Sequence, residues 1–379
     1  MVEAVETAET QEGPYAYENW RAALSSRPVK YSYECPLFTD AQVVGMALDG
    51  YGPYQLINTC ADPTKRRSRP SIVLRVDYYS ELASDRWERT SDDAYHGGGL
   101  DDEIAAIVSL CAGIRLKPGA ISRRFEADDL RGYPICWSSQ DDPSIPAIGR
   151  WPMIPGALGD HSLDAIAPLA TLPELSAREA SVLIKAARQY QHGLWIAESE
   201  PHLSWLMFVS AVETAAQQWR SAEDTNIERL RTSRPELEQL LLARGGEEFV
   251  SAVADLVAPY MGATKTFVSF LLAHLPEPVE PRPTEPFQVD WQPSTMKQSL
   301  QKLYGFRSRA LHGGKPFPQP ICDAPRQTET EACWERPPGL GAGAGKFRWV
   351  TEDLPMYLQT FEHICRGALL HWWRSLAAR

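Results

Sequence analysis

Two patterns of apolar and polar positions divide the chain. In the first part, VKYSYEC (29–35) and SIVLRVDYY (71–79) are short runs rich in β-branched and aromatic residues, which predicts strands. DDEIAAIVSLCAGI (101–114) predicts a helix, with two acids in its first turn and Gly113 near its end. Turn chemistry follows in KPG, RGYP and a Pro/Gly-rich stretch from Pro143 to Gly159. The period then becomes helical. LSAREASVLIKAARQYQHGLWIAES (175–199) places Ser176 at an N-cap with Glu179 three residues on, the spacing of a capping box. PHLSWLMFVSAVETAAQQWRS, ELEQLL, EFVSAVADLVAPYM and TKTFVSFLLAHL continue the helical pattern. STMKQSLQKLYGFRSRALHGG (294–314) stops at two glycines, and LPMYLQTFEHICRGALLHWWRSL (354–376) is the last helix.

The expected class is therefore α+β. Residues 1–13 read as a disordered acidic tail, 14–172 as a mixed α+β domain, and 173–379 as an all-α bundle. Ten of the fourteen tyrosines precede Pro173, so the two parts are built differently. Within the bundle, the Pro-rich loop 276–293 contains PEPVEPRPTEP (276–286), which excludes helix and central strand and predicts an exposed linker or polyproline segment. A Gly/Pro loop spans 313–350.

Composition narrows the class. With 379 residues, 44% hydrophobic and 23% charged, the chain is neither wholly disordered, collagen-like nor a rod. Its net charge of -11 argues against sequence-blind coating of nucleic acid, while leaving room for a local basic site. No apolar run approaches the ~20 residues that cross a bilayer, so no membrane partner is expected. The first 13 residues carry four glutamates and no base, the wrong chemistry for a signal peptide. The cysteines (Cys35, Cys60, Cys111, Cys136, Cys322, Cys333, Cys365) are odd in number and never in a CxxC pair. Reduced thiols in a cytoplasmic protein fit that pattern better than disulfides or zinc.

Two charges break the apolar stripes. On one helix the stripe runs Leu300, Leu303, Arg307, Leu311; on an earlier one it runs Leu206, Val209, Val212, Glu213, Ala216. A buried guanidinium or carboxylate must find a partner, so Arg307 and Glu213 are expected to pair. Such a pair either fixes helix register or serves a site. His312 lies five positions after Arg307, a rotation of about 140°, so the two side chains do not naturally adjoin. They converge only through a distorted last turn, the arginine's length, or a second copy of the helix. Arg309 shares His312's face.

The run LYGFRSRALHGG (303–314) resembles the R-x4-6-H motif of HEPN domains, in particular the ApeA-like group, with the motif on Arg307 to His312. The preceding AREASVLIKAARQYQ and SAVETAA helices and the closing helix extend the resemblance over roughly 172–379. It implies an all-α bundle that dimerises with its two motifs facing one another. It also implies metal-independent RNA cleavage without a cofactor, as in toxin and host-defence members. In that chemistry a 2′-hydroxyl attacks the neighbouring phosphate. His312 would be general acid/base, because histidine titrates near neutrality. Arg307 would clamp phosphate through its planar fork, and Glu213 would orient Arg307. Ser308 stands where catalytic members often have Asn, Asp or His. Some family members are non-catalytic scaffolds for dimerisation or partner binding, and that alternative stays open.

Arg309 and the basic run KRRSR, with Lys65, Arg66, Arg67 and Arg69, are the candidate RNA contacts. Arg115, Lys117, Arg123 and Arg124 form a second basic group. GLGAGAGKF (339–347) is not a Walker loop, because Leu340 and Phe347 stand where Gly and Ser or Thr are needed; it reads as a flexible loop. Asp92, Asp93, His96, Asp101, Asp102 and Glu103 match no metal-binding spacing. The resemblance to HEPN proteins also implies that the N-terminal half senses a regulatory ligand or protein, or presents substrate.

Overall fold

The computed structural model describes residues 12–59, 68–79, 92–135, 142–145, 151–220, 225–257, 262–327, 332–338 and 342–378. The fold is α+β, and the chain divides into two units. The first takes in Met1–Gly149, Gly156–Ser199 and Trp373–Arg379; the second takes in Arg150–Pro155 and Glu200–Trp372.

The first unit runs α1 (Tyr15–Leu24), β1 (Tyr31–Thr39), β2 (Gln42–Val44), β3 (Tyr54–Asn58), β4 (Arg69–Tyr78), α2 (Leu100–Ala112), β5 (Lys117–Pro118), β6 (Arg123–Glu126), β7 (Tyr133–Pro134) and β8 (Asp160–Ser162). A 3-10 segment, Leu163–Glu174, then leads into α3 (Ala177–Ile196). The sheet order is β3-β4-β1-β6-β7, with antiparallel pairing throughout and β5 also on β1; β2 and β8 form a separate parallel pair. Alternation sets the two faces. Tyr33, Cys35 and Leu37 pair with Val76, Leu74 and Ile72, and all six are buried. The other face carries Ser32 hydrogen-bonded to Asp77 (2.5 Å) and Glu34 paired with Arg75 (3.5 Å). Helix α2 is buried nearly all round, packed on α1, α3, β5 and the 163–174 segment, as expected of a helix apolar on every side.

This packing moves the domain boundary expected at 172/173. Pro/Gly signals mark the end of the strand-rich region. However, α3 covers α2, so α3 through Ser199 belongs to the first unit. The capping box of Ser176 and Glu179 forms as expected (Glu179 N–H to Ser176 Oγ, 3.2 Å).

The second unit holds α4 (Pro201–Arg220), α5 (Asn226–Ser233), α6 (Pro235–Val257), α7 (Ala263–Ala273), α8 (Pro293–Gly313), a hairpin of β9 (Ala342–Ala344) and β10 (Phe347–Trp349), and α9 (Leu358–Ala377), whose last residues count with the first unit. Trp205 stacks on Phe317 and Phe361 (5.4 and 5.0 Å between centroids). Burial of each phenylalanine contributes about 2–3 kcal/mol. Helices α5 and α6 enclose a small core of their own around Leu230, Val250 and Ala254.

Both expected loops are fastened at particular residues. The Pro-rich segment is largely exposed, as a linker would be, and is fastened at a few points as a strap. Arg282 pairs with Glu335 (Nη2 to Oε2, 2.7 Å), and Phe287 stacks on Trp334 at 3.8 Å. Pro276 lies so close to Gly367 that a Cβ there would meet it at 2.5 Å, so the strap needs glycine at that point of α9. The Gly/Pro loop 313–350 buries Phe317, Ile321 and Cys322. Its glycine-rich end forms the β9–β10 turn around Gly345 and Lys346; residues 339–341 lie outside the described part.

Candidate functional site

Helix α8 starts at Pro293, which has no N–H to satisfy, and buries Met296, Leu300, Leu303, Tyr304 and Phe306. It ends at Gly314, whose φ of 61° lets its N–H close on the Arg309 carbonyl. Leu311 is 52% exposed, so the apolar stripe ends at Arg307 rather than running through Leu311. Helix α4 presents Val209, Val212 and Ala216 inward, with Glu213 on the same side.

The expected pair forms. Arg307 Nη2 donates to Glu213 Oε2 at 2.8 Å, with the side chains 21% and 15% exposed. Sequence reasoning missed the third member. Tyr304 donates its hydroxyl to Glu213 Oε1 at 2.7 Å, and the Arg307 guanidinium lies 5.5 Å from the Tyr304 ring centroid. The signal was available, since Tyr304 stands one turn before Arg307 on the same face. Burial, then the bond to Glu213, pushes the Tyr304 hydroxyl well above its ordinary pKa, so it stays a donor. Both carboxylate oxygens of Glu213 are thus engaged, and the arginine is held in one orientation. Arg307 Nε is buried without a partner.

His312 stands exposed in the last turn of α8 and makes no hydrogen bond or ion pair among the described residues. The helix is continuous through Gly313, so Arg307 and His312 leave it on different sides and do not converge within one copy. Ser308 is half-buried, and Arg309 is exposed with its guanidinium over the Phe306 ring (4.8 Å). Arg309, His312 and Lys315 make the surface at the end of α8 basic. No family model, no curated protein and no solved structure matches the chain.

Several other candidates take structural places. Arg69 donates to the Ala41 carbonyl and to Gln42, while Lys65, Arg66 and Arg67 lie outside the described residues. Arg115, grouped above with the basic residues, is fully buried. Its Nε and Nη2 grip Asp40 (2.7–3.1 Å) and its Nη1 meets Glu198 at 3.2 Å. It cannot touch RNA. The acidic run at the start of α2 is consumed internally. Asp101 accepts from the Tyr33 hydroxyl (2.5 Å), Asp102 from Arg188 (2.8 Å), and Glu103 from the Tyr15 and Ala16 amides. Glu103 also meets His96 at 2.6 Å. Among the described residues no three His, Cys, Asp or Glu gather as a metal ion would require. Nor is any described helix long and apolar enough to cross a membrane. Cys322 lies 3.3 Å from His202, but burial pushes its thiol up, away from a reactive thiolate.

One titration in the first unit has a measurable consequence. Burial, together with Arg188 and Lys117 and against the opposing pull of Asp102, lowers the His192 pKa to about 4. Its folded pKa lies below its unfolded one, so the stability it contributes is present above pH ~6.5 and is lost as pH falls toward ~4. Wild type should therefore lose about 2 kcal/mol more than His192→Gln between those limits. Urea unfolding at pH 7 and pH 4.5 measures this. Equal losses in both proteins would remove His192 as the cause.

Proposed function

We propose that the helical unit is a HEPN-type, metal-independent endoribonuclease, acting as a homodimer in the manner of toxin or host-defence effectors. The observation that carries this reading is the contrast within one helix. Arg307 is fixed by Glu213 and Tyr304, while His312 stands open at the helix end. A phosphate clamp gains from a locked guanidinium, and a proton carrier must reach solvent and substrate. Because the two side chains diverge on α8, a second copy is needed to bring one protomer's His312 toward its partner's arginine. The exposed Leu311 beside His312 supports such a covered face.

In this chemistry His312 takes the proton of an RNA 2′-hydroxyl, whose oxygen attacks the adjacent phosphorus. The bond to the 5′ oxygen breaks, and that oxygen leaves with the proton from the imidazolium. The products are a 2′,3′-cyclic phosphate and a 5′-hydroxyl. Arg307 offsets the charge developing on the phosphate oxygens, and Arg309 holds the flanking backbone. The rival reading, a non-catalytic scaffold, is favoured by one fact: Nη2 of Arg307 is already engaged by Glu213.

The test is cleavage of mixed cellular RNA in EDTA by wild type and His312→Ala. Cleavage by wild type that disappears in the variant supports the nuclease. Equal cleavage by both would sink the assignment of His312, and absence of cleavage by either would favour the scaffold.

A further inference from the structure

A second group of charged side chains lies in the first unit, on elements the nuclease reading does not use. Arg188, His192 and Trp195 recur along α3 at spacings of four and three, which places them on one face. Lys117 reaches the same place from β5, its Nζ 4.9 Å from the centre of the Trp195 ring. One carboxylate answers these three bases. Asp102 Oδ1 accepts from Arg188 Nη1 at 2.8 Å, and that nitrogen is shared with Gln191 Oε1 at 3.0 Å. Gln191 is itself fixed by the Leu116 carbonyl (2.6 Å). The neighbouring acids are not free to help, since Asp101 is bound by Tyr33, and Glu103 by His96 and the start of α1.

Among the described residues the group is therefore short of negative charge. The Arg188 side chain is 8% exposed, yet its Nε is buried with no partner. A buried donor left unsatisfied is costly. Lys117 is half-buried and, among the described residues, its ammonium sits by an aromatic ring and makes no salt bridge, feeling only the Asp102 charge that Arg188 already engages. Burial and the nearby Arg188 push Lys117 down, and burial with both cations pushes His192 down. Each of these strains has the same remedy, a negative group between the bases. Lys117 and His192 are only partly covered, so an ion can enter from their side.

We propose that Lys117, Arg188 and His192 form a binding site for a phosphate-class oxyanion, either free or as the phosphate of a small phosphorylated molecule. A tetrahedral oxyanion suits the set better than a carboxylate. It offers several acceptor oxygens to a guanidinium, an ammonium and an imidazole N–H arriving from different directions. The site rests on a helix and a strand of one unit, so its geometry is rigid. It is independent of the α8 residues, and its failure would leave the nuclease reading untouched.

The experiment is calorimetric titration of the full chain with inorganic phosphate, and separately with a nucleoside 5′-monophosphate, at an ionic strength held constant with chloride. Melting temperature is followed in parallel. Wild type should show saturable binding and a phosphate-dependent rise in Tm. Lys117→Met, which keeps the stem on Trp195, should bind about tenfold or more weakly (a loss of about 1.4 kcal/mol or more). Without phosphate it should melt at or above the wild-type temperature, because an unmatched cation has gone, which separates lost binding from misfolding. Tighter binding of the monophosphate would identify a phosphorylated small molecule, and equal binding a free oxyanion. Heat that does not saturate, or equal affinity in wild type and Lys117→Met, would overturn the proposal.

Discussion

On the proposed nuclease reading, Arg307→Ala is expected to lower RNA cleavage by about 100-fold or more and to lower the melting temperature as well, whereas His312→Ala should lose cleavage alone. The rate effect follows from removing the cation that meets charge developing on phosphate, a type of stabilisation typically worth 10²- to 10³-fold. The stability effect follows from the partners left behind. Glu213 is 15% exposed and would keep only the Tyr304 hydroxyl as donor, at a cost of about 1–3 kcal/mol. His312 is exposed and unpartnered among the described residues, so its truncation removes no packing. Arg307→Lys sharpens the comparison. An ammonium can still meet Glu213 but lacks the planar fork, so stability should recover while cleavage stays low. Cleavage rates and thermal melts on the three variants decide the matter. A scaffold predicts instead that His312→Ala is silent and that Arg307→Ala matters only through stability or dimerisation.

Arg115→Met should have the larger effect on folding. The guanidinium is fully buried between Asp40 and Glu198, with side chains 0% and 4% exposed. Removing it leaves the Asp40 carboxylate in the interior without its guanidinium, and breaking a buried pair in this way costs about 3–5 kcal/mol. Against a typical total of about 5–15 kcal/mol, that is a large share of the stability and should raise the unfolded fraction by about 100-fold or more. Adding Asp40→Leu to Arg115→Met should restore part of the loss by removing that stranded charge. Soluble yield and urea midpoints measure both. An unchanged midpoint in Arg115→Met would mean the cluster contributes little.

What could be foreseen depended on whether a local period constrained the side chain. The strands begun in 29–35 and 71–79 show in their β-branched and aromatic composition, and the cap of Ser176 in its three-residue spacing, so both were legible. The Glu213–Arg307 pair was legible because each charge interrupts an otherwise apolar helical stripe. Arg115 was not: it follows a helix in a turn-like stretch, and its partners lie 75 and 83 residues away, where no periodicity links them. The fastening of the strap was not legible for a related reason. Proline density forbids helix and strand, which is correct here, but it says nothing about a salt bridge to Glu335, 53 residues on. The end of the first unit was misplaced because turn signals mark where strands stop, while the helix that covers α2 comes after them.

That first unit draws on Met1–Gly149, on Gly156–Ser199 and on Trp373–Arg379, which bears on how the protein is made. Domains usually fold in order as they leave the ribosome. Here the unit that begins first still needs the residues from 373 onward. The first unit is thus completed only when the last turn of α9 has been made, and a stop codon shortly before Trp373 is expected to weaken the part of the molecule translated earliest.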